Sequence, residues 1–224
     1  MFVSSRFTGT TRIVVAVEAG GGCFLCEPDA GLVYMGSESF FAMLGHGPLS
    51  EGYSLIATRE HDASMLDVSE AEAEELGRFT VAVKQRLRTH YGPTLVTEHG
   101  RVAACVAAAV RRYEPHCLHA HRLVFPGEAS LDLQAEWHGL SVARYGSSLE
   151  AWRGFGWDGE YLYAEDDDGA CMVAPSPSSF PRQLFRGVIA RRSGQPEAAN
   201  WADHPRLEVV SAARHRLGVL NDAA

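Results

Sequence analysis

HCLHAHRLVFP, residues 116–126, is the stretch on which the reading of this chain turns. Leu118, Val124 and Phe125 give the run strand character, and Pro126 closes it. Side chains two apart on a strand project from the same face. His119 and His121 are therefore expected side by side, as a pair of imidazoles on one strand.

Two further pieces upstream match that pair. GYSLIAT, residues 52–58, reads as a strand ending at Arg59-Glu60-His61. His61 then sits just past a rigid strand end, where a ligand can be held; an ordinary loop histidine is the other reading. Gly20, Gly21 and Gly22 precede Cys23-Phe24-Leu25-Cys26. Glycines there let the backbone fold tightly enough for both sulfurs to reach one ion. A thioredoxin-like redox pair is the rival reading, but it needs a helix to follow. Pro28, Asp29 and Gly31 supply turn chemistry instead.

The remaining elements are read from periodicity. Arg12–Val17, Leu32–Met35, Ser39–Leu44 and Thr94–Thr97 are expected strands. Ser69 and Glu72 form a capping box, and Leu76, Phe79, Val83 and Leu87 mark the buried stripe of a helix running to about His90. Gly92-Pro93 stops it. RVAACVAAAVRR, residues 101–112, reads as a short helix or a lining loop, with Cys105 as packing. Beyond Pro126 comes a mixed stretch from Ser130 to Tyr145. A hairpin of Glu160–Ala164 and Ala170–Val173 follows, joined by a solvated Asp166-Asp167-Asp168-Gly169 turn. A Pro/Ser linker then leads to expected helices at Pro181–Arg192 and Leu207–Leu217. Arg182, Gln183 and Arg186 cluster at the start of the first, where cations beside a helix N-terminus suit phosphate oxygens. A plain basic face is the competing reading.

The chain has 224 residues and a formal net charge of -8. That excludes a broad nucleic-acid surface and a polybasic membrane face, but not a local pocket for a nucleotide. Five cysteines and an N-terminal apolar run interrupted by Glu18 fit neither a disulfide framework nor a secretion signal or membrane span. A cytoplasmic protein with reduced thiols is expected. There is no P-loop, no Gly-x-Gly-x-x-Gly fingerprint and no internal repeat.

Cys23, Cys26, His61 and His119 together offer two thiolates and two neutral imidazoles, a standard set for a closed, structural zinc site. His121 stays off the metal, and a free imidazole beside such a site suits attack on phosphorus. A backbone carbonyl could orient its other ring nitrogen.

With these pieces in place, residues 12 to 126 resemble the histidine-triad superfamily. The resemblance rests on Cys23-x-x-Cys26, the strand GYSLIATREH, the capped helix, Glu98-His99-Gly100, and His119-Ala120-His121 with Pro126 following. It implies His121 as nucleophile. It also implies Cys23, Cys26, His61 and His119 as ligands, as in the zinc-binding members that include the galactose-1-phosphate uridylyltransferase branch. The third motif histidine is Leu123 here, so His99 or His116 is expected to protonate the leaving group. A shifted register, with Cys117 as ligand and His119 as nucleophile, stays open. Glu98, Arg182, Gln183 and Arg186 are the expected nucleotide and phosphate contacts.

The expected fold is α+β: an antiparallel histidine-triad-like sheet with a long packed helix in residues 1–126, and a C-terminal α+β extension, 127–224, packing on that core. The resemblance implies a nucleotide hydrolase or nucleotidyltransferase acting at the α-phosphate of a nucleotide conjugate through a covalent nucleotidyl-histidine, with Zn2+ as structural cofactor. A catalytically degenerate, zinc-stabilised nucleotide-binding protein is the alternative. The expected partner is a nucleotide-containing small molecule rather than a nucleic-acid polymer or a membrane, and a homodimer is implied by the resemblance alone.

Overall fold

A computed structural model describes residues 23–102, 119–181 and 183–219. The expected first strand at 12–17, Cys105, His116, Cys117 and Arg182 lie outside the described residues, as does nearly all of the Ala-rich stretch. The chain folds as α+β around one antiparallel sheet of eight strands in the order β1-β2-β3-β5-β4-β7-β8-β6. These are β1 (Val33–Gly36), β2 (Phe40–Leu44), β3 (Ser54–Thr58), β4 (Thr94–Gly100), β5 (His121–Pro126), β6 (Ala143–Tyr145), β7 (Tyr161–Glu165) and β8 (Cys171–Pro175). Because β7 pairs with β4, residues beyond 126 continue the same sheet, and the boundary drawn there falls between its strands.

The long helix α1 (Glu70–Tyr91) starts and stops where its ends are satisfied. The Ser69 N–H donates to the Glu72 carboxylate at 2.8 Å, and the Glu72 N–H donates back to Ser69 Oγ at 3.3 Å. Gly92, at φ 85°, takes the backbone out of the last turn. Shorter helices follow: α2 (Leu133–Glu136), α3 (Ser148–Gly154), α4 (Leu184–Arg192) and α5 (Leu207–Arg216), with a 3-10 turn at Pro196–Ala199. Helix α3, capped by Ser147 Oγ accepting from the Glu150 N–H, has no counterpart among the sequence expectations. No helix among the described residues is long and apolar enough to cross a membrane.

Register assigns every central side chain to one of two faces. Arg122 lies opposite Ile56, Glu98 opposite Tyr163, and Val96 opposite both Val124 and Glu165; these residues share the face under α1. Phe40 stacks on Phe79 of α1 there, with ring centroids 6.3 Å apart. His121 lies opposite Ala57, and Leu123 opposite both Leu55 and Thr97, so they share the other face. By alternation along β4, His99 joins that second face. Tyr53 packs on Phe125 there, and α4 lays Leu184, Phe185, Val188 and Ile189 into the same core. Both faces are covered, which is why β2 and β3 are buried along their whole length.

Several boundaries differ from the sequence reading, and three of them bear on the site. β4 runs on to Gly100 because it pairs with β7, which takes Glu98 and His99 into the sheet. A Cβ at Gly100 would lie 2.1 Å from the Tyr161 ring, so only glycine lets this cross-strand pair close. β5 begins at His121, leaving His119 just outside it. Helix α4 begins at Leu184 because Gln183, at φ 58°, turns left-handed at its cap.

Under α1 lies a buried charge network. Arg122 Nε donates to Glu98 at 3.4 Å, its Nη1 is 3.7 Å from Glu165, and its guanidinium stands 4.0 Å over the Tyr163 ring. Lys84 Nζ donates to Glu165 at 2.6 Å, and Tyr161 Oη donates to Glu98 at 2.5 Å. Two cations face two carboxylates, so no net charge is left in the core. Removing one partner leaves a buried ion uncompensated, which costs more than the pair contributes. Arg122→Ala is expected to lower unfolding free energy by about 3–5 kcal/mol, measured as a fall in the urea midpoint at unchanged slope.

Candidate metal centre and adjoining histidine face

The candidate centre forms where three chain segments meet. After Cys23 the backbone turns, with the N–H groups of Cys26 and Glu27 both donating to the Cys23 carbonyl at 3.1 and 3.3 Å. Leu25, 2% exposed, anchors this turn in the core, so the sulfurs on either side point away from it to a common place. β3 delivers His61 from one side. From the other, the Ala120 N–H donates to the Asp62 carbonyl at 2.8 Å and the Thr58 N–H to the Ala120 carbonyl at 3.3 Å. These two bonds stitch the end of β3 to the approach of β5 and set the His61 and His119 rings 5.0 Å apart.

One ligand atom from each of Cys23, Cys26, His61 and His119 falls within 4.8 Å of the other three. His119 Nδ1 is 3.5 Å from Cys23 Sγ and 3.4 Å from Cys26 Sγ. A tetrahedral ion with metal–sulfur bonds near 2.3 Å and metal–nitrogen bonds near 2.0 Å would set N and S about 3.5 Å apart. His119 Nε2 lies 2.7 Å from the Thr58 carbonyl, which accepts its proton and leaves the Nδ1 lone pair facing the sulfurs. His61 Nε2 is buried without a hydrogen-bond partner, an orphan that a metal ion would satisfy. Burial and the neighbouring His119 lower the His61 pKa, which favours the neutral, ligating ring. These four residues could hold a metal ion.

His121 is the next side chain along. Its Nδ1 lies 2.8 Å from the His119 carbonyl, and its Nε2 has no hydrogen-bond partner among the described residues. Burial lowers its pKa and keeps the ring neutral. His99, on the same sheet face, has Nε2 3.0 Å from Ser176 Oγ and 3.8 Å from Glu160 Oε2. Burial pushes the His99 pKa down to about 4. Burial thus favours the uncharged ring, whose remaining N–H is a much weaker acid than an imidazolium. Leu123 sits between Leu55 and Thr97 on this face and brings no polar group.

Three expected phosphate contacts have other work. Glu98 is on the opposite face, accepting from the Met65 N–H at 2.9 Å as well as from Tyr161 and Arg122. Arg186 is 3% exposed; its Nη2 donates to the Gly47 and Ala198 carbonyls at 2.7 and 2.9 Å, and its Nε to Ala199 at 3.1 Å. The Gln183 amide donates to the Ala199 carbonyl at 2.6 Å and accepts from Trp201 Nε1 at 3.3 Å. Gln183 and Arg186 thus clamp the C-terminal segments together. Helical spacing put 182 and 186 on one face but did not say whether that face is buried; Arg186 is buried, and Arg182 lies outside the described residues. Ser176 and Glu160, which surround His99, went unread. Neither carries a local motif, and the pairing of β4 with β7 alone brings them there.

No family model matches the chain, and comparison with curated proteins gives no match.

Two outcomes follow from this geometry. Burial and the nearby Cys23 push the Cys26 thiol up to about 12, so metal binding must displace thiol protons and should tighten as pH rises from 6 to 8. Elemental analysis is expected to give one metal ion per chain. Cys26→Ser should lower the melting temperature more than His121→Ala, and equal values in calorimetry would contradict the division of roles. For His99, the folded pKa lies below the unfolded value of about 6.5. Its contribution to stability is therefore complete above that pH and lost as pH falls toward 4. Wild-type unfolding midpoints should drop more steeply across that window than those of His99→Gln.

Proposed function

We propose that this chain is a zinc-stabilised protein of the histidine-triad type that hydrolyses or transfers a nucleotidyl group, with His121 as nucleophile. The observation that carries this reading is the His121 ring held by the His119 carbonyl at 2.8 Å. With Nδ1 protonated and engaged, the Nε2 lone pair is the free one, and the depressed pKa keeps it available. Cys23, Cys26, His61 and His119 would hold the zinc, whose contribution is to lock the three segments that orient His121.

In the first step His121 Nε2 attacks the α-phosphorus of a nucleotide conjugate. The N–P bond forms, the bond from phosphorus to the leaving group breaks, and the leaving group takes the electron pair. The Nδ1–H bond to the His119 carbonyl stabilises the charge that the ring acquires. In the second step water or an acceptor phosphate attacks the same phosphorus and expels His121 as a neutral ring. Leu123 is apolar and burial favours the uncharged form of His99, so neither of these two positions supplies a strong acid beside the leaving group. That favours leaving groups that depart as stable anions, such as the phosphates of dinucleoside polyphosphates and nucleotide sugars, over the amines of phosphoramidates. A nucleotide-sized ligand and a homodimer paired through a sheet edge belong to the same proposal.

The absence of a polar group at Leu123 also favours a second reading, a nucleotide-binding protein without turnover. Intact-mass analysis at neutral pH after incubation with a dinucleoside polyphosphate separates them. A nucleotidyl adduct lost in His121→Ala, with turnover reduced at least about a thousandfold, is the expected result. Nucleotide binding by calorimetry with neither adduct nor turnover, unchanged in His121→Ala, would leave the binding protein.

A further inference from the structure

We propose that Trp157 and Glu160, on the loop entering β7, form the sugar-recognition subsite of this same site. The inference rests on the nucleotidyl reading above and names the residues that would hold the sugar ring of the conjugate. Trp157 is one of three large apolar side chains exposed among the described residues, at 45%. Exposure of an indole is costly, and a loop tryptophan left so would ordinarily be mobile. Here it is fixed from three directions. Its Nε1 donates to the Glu160 carbonyl at 3.0 Å, its own carbonyl accepts from Arg101 Nη1, and Arg101 is in turn held by Asp67 at 2.5 Å. A Cβ at Gly159 would lie 2.8 Å from Trp157 Nε1, so glycine is what lets the indole fold back over the chain. The ring is pinned while part of it remains open to solvent.

The same turn aims a carboxylate at the histidine face. Glu160 Oε2 is 3.8 Å from His99 Nε2, and the Ser176 N–H donates to the Glu160 carbonyl at 2.8 Å while Ser176 Oγ meets His99 at 3.0 Å. His99 lies two residues beyond Thr97, the partner of Leu123, on the strand face that carries His121. The Glu160 carbonyl joins the two parts, accepting from both the Trp157 indole and the Ser176 N–H, and so gathers an aromatic ring, a carboxylate, a hydroxyl and an imidazole at the start of β7. That is the chemistry that takes a sugar ring: an indole to cover its apolar face and a carboxylate to accept from adjacent hydroxyls. The ring could be the ribose of the nucleotide or a hexose on the leaving phosphate. Both present neighbouring hydroxyls, cis in ribose and trans in glucose.

The test is calorimetric titration of the zinc-loaded protein with AMP, 2′,3′-dideoxy-AMP and glucose 1-phosphate, in wild type, Trp157→Ala, Trp157→Phe and Glu160→Gln. Trp157→Ala is expected to weaken AMP or glucose 1-phosphate about tenfold to a hundredfold, with Trp157→Phe restoring most of the loss. Glu160→Gln should erase the preference for AMP over its dideoxy analogue if the ring is ribose, and should weaken only glucose 1-phosphate if it is the hexose. Wild-type binding left unchanged by all three variants, with melting temperatures intact, would overturn the subsite and leave the nucleotidyl reading standing. Wild type that binds none of the ligands would overturn that reading first, and the subsite with it.

Discussion

The pairing of β3 with β5 is the constraint on which the rest of the molecule depends. It sets His121 opposite Ala57 and Arg122 opposite Ile56, and so sends two neighbouring polar residues to opposite faces of a sheet that is covered on both. Beyond the last ladder pair, the Thr58 and Ala120 backbones keep bonding, and the Thr58 carbonyl takes the proton of His119. One stretch of backbone thereby orients a candidate metal ligand, His119, on one side and the His121 imidazole beside it. A one-residue slip would move His121 under α1 and Arg122 into the histidine face.

Each face answers a different physical demand. Under α1 the charged groups are buried, so Arg122 and Lys84 are matched by Glu98 and Glu165, and carboxylate lone pairs are taken by Tyr161, Tyr163 and the Met65 backbone. Such a network contributes little net stability but tolerates few registers, because every partner must be present at once. On the histidine face the polar groups are only partly engaged. Among the described residues His61 Nε2 has no hydrogen-bond partner, and the His121 ring is tied at one nitrogen only. Buried groups without a hydrogen-bond partner occur under α1 as well, at Arg122 Nη1 and Thr80 Oγ1, so the candidate site is marked by the convergence of thiol and imidazole ligand atoms.

The C-terminal half belongs to both faces. Its β7 supplies Tyr163 and Glu165 to the buried network, while the turns around β7 and β8 bring Glu160 and Ser176 to His99. Arg186 and Gln183 hold these segments against the β2–β3 connection through backbone carbonyls, which accounts for a buried arginine with no carboxylate partner. Their guanidinium and amide groups join distant segments of the fold.

What could be read from residues alone were the features encoded over short range. The capping box of Ser69 and Glu72, the stripe from Leu76 to Leu87, the Asp-rich hairpin turn and the Cys23-x-x-Cys26 pair all depend on residue types at fixed spacings. His61 and His119 could be named as candidate ligands from residue type and resemblance, but only the tertiary structure brings His119 to the two thiols from as many as 96 positions away. Which face Glu98, Arg122 and Arg186 would occupy was settled only by long-range pairing, since a charged residue in an apolar run gives its period but not its partner. The same holds for the meeting of His99 with Glu160 and Ser176: residues some sixty and eighty positions apart find each other only once β4 and β7 lie side by side, and no local signal in a chain can announce that.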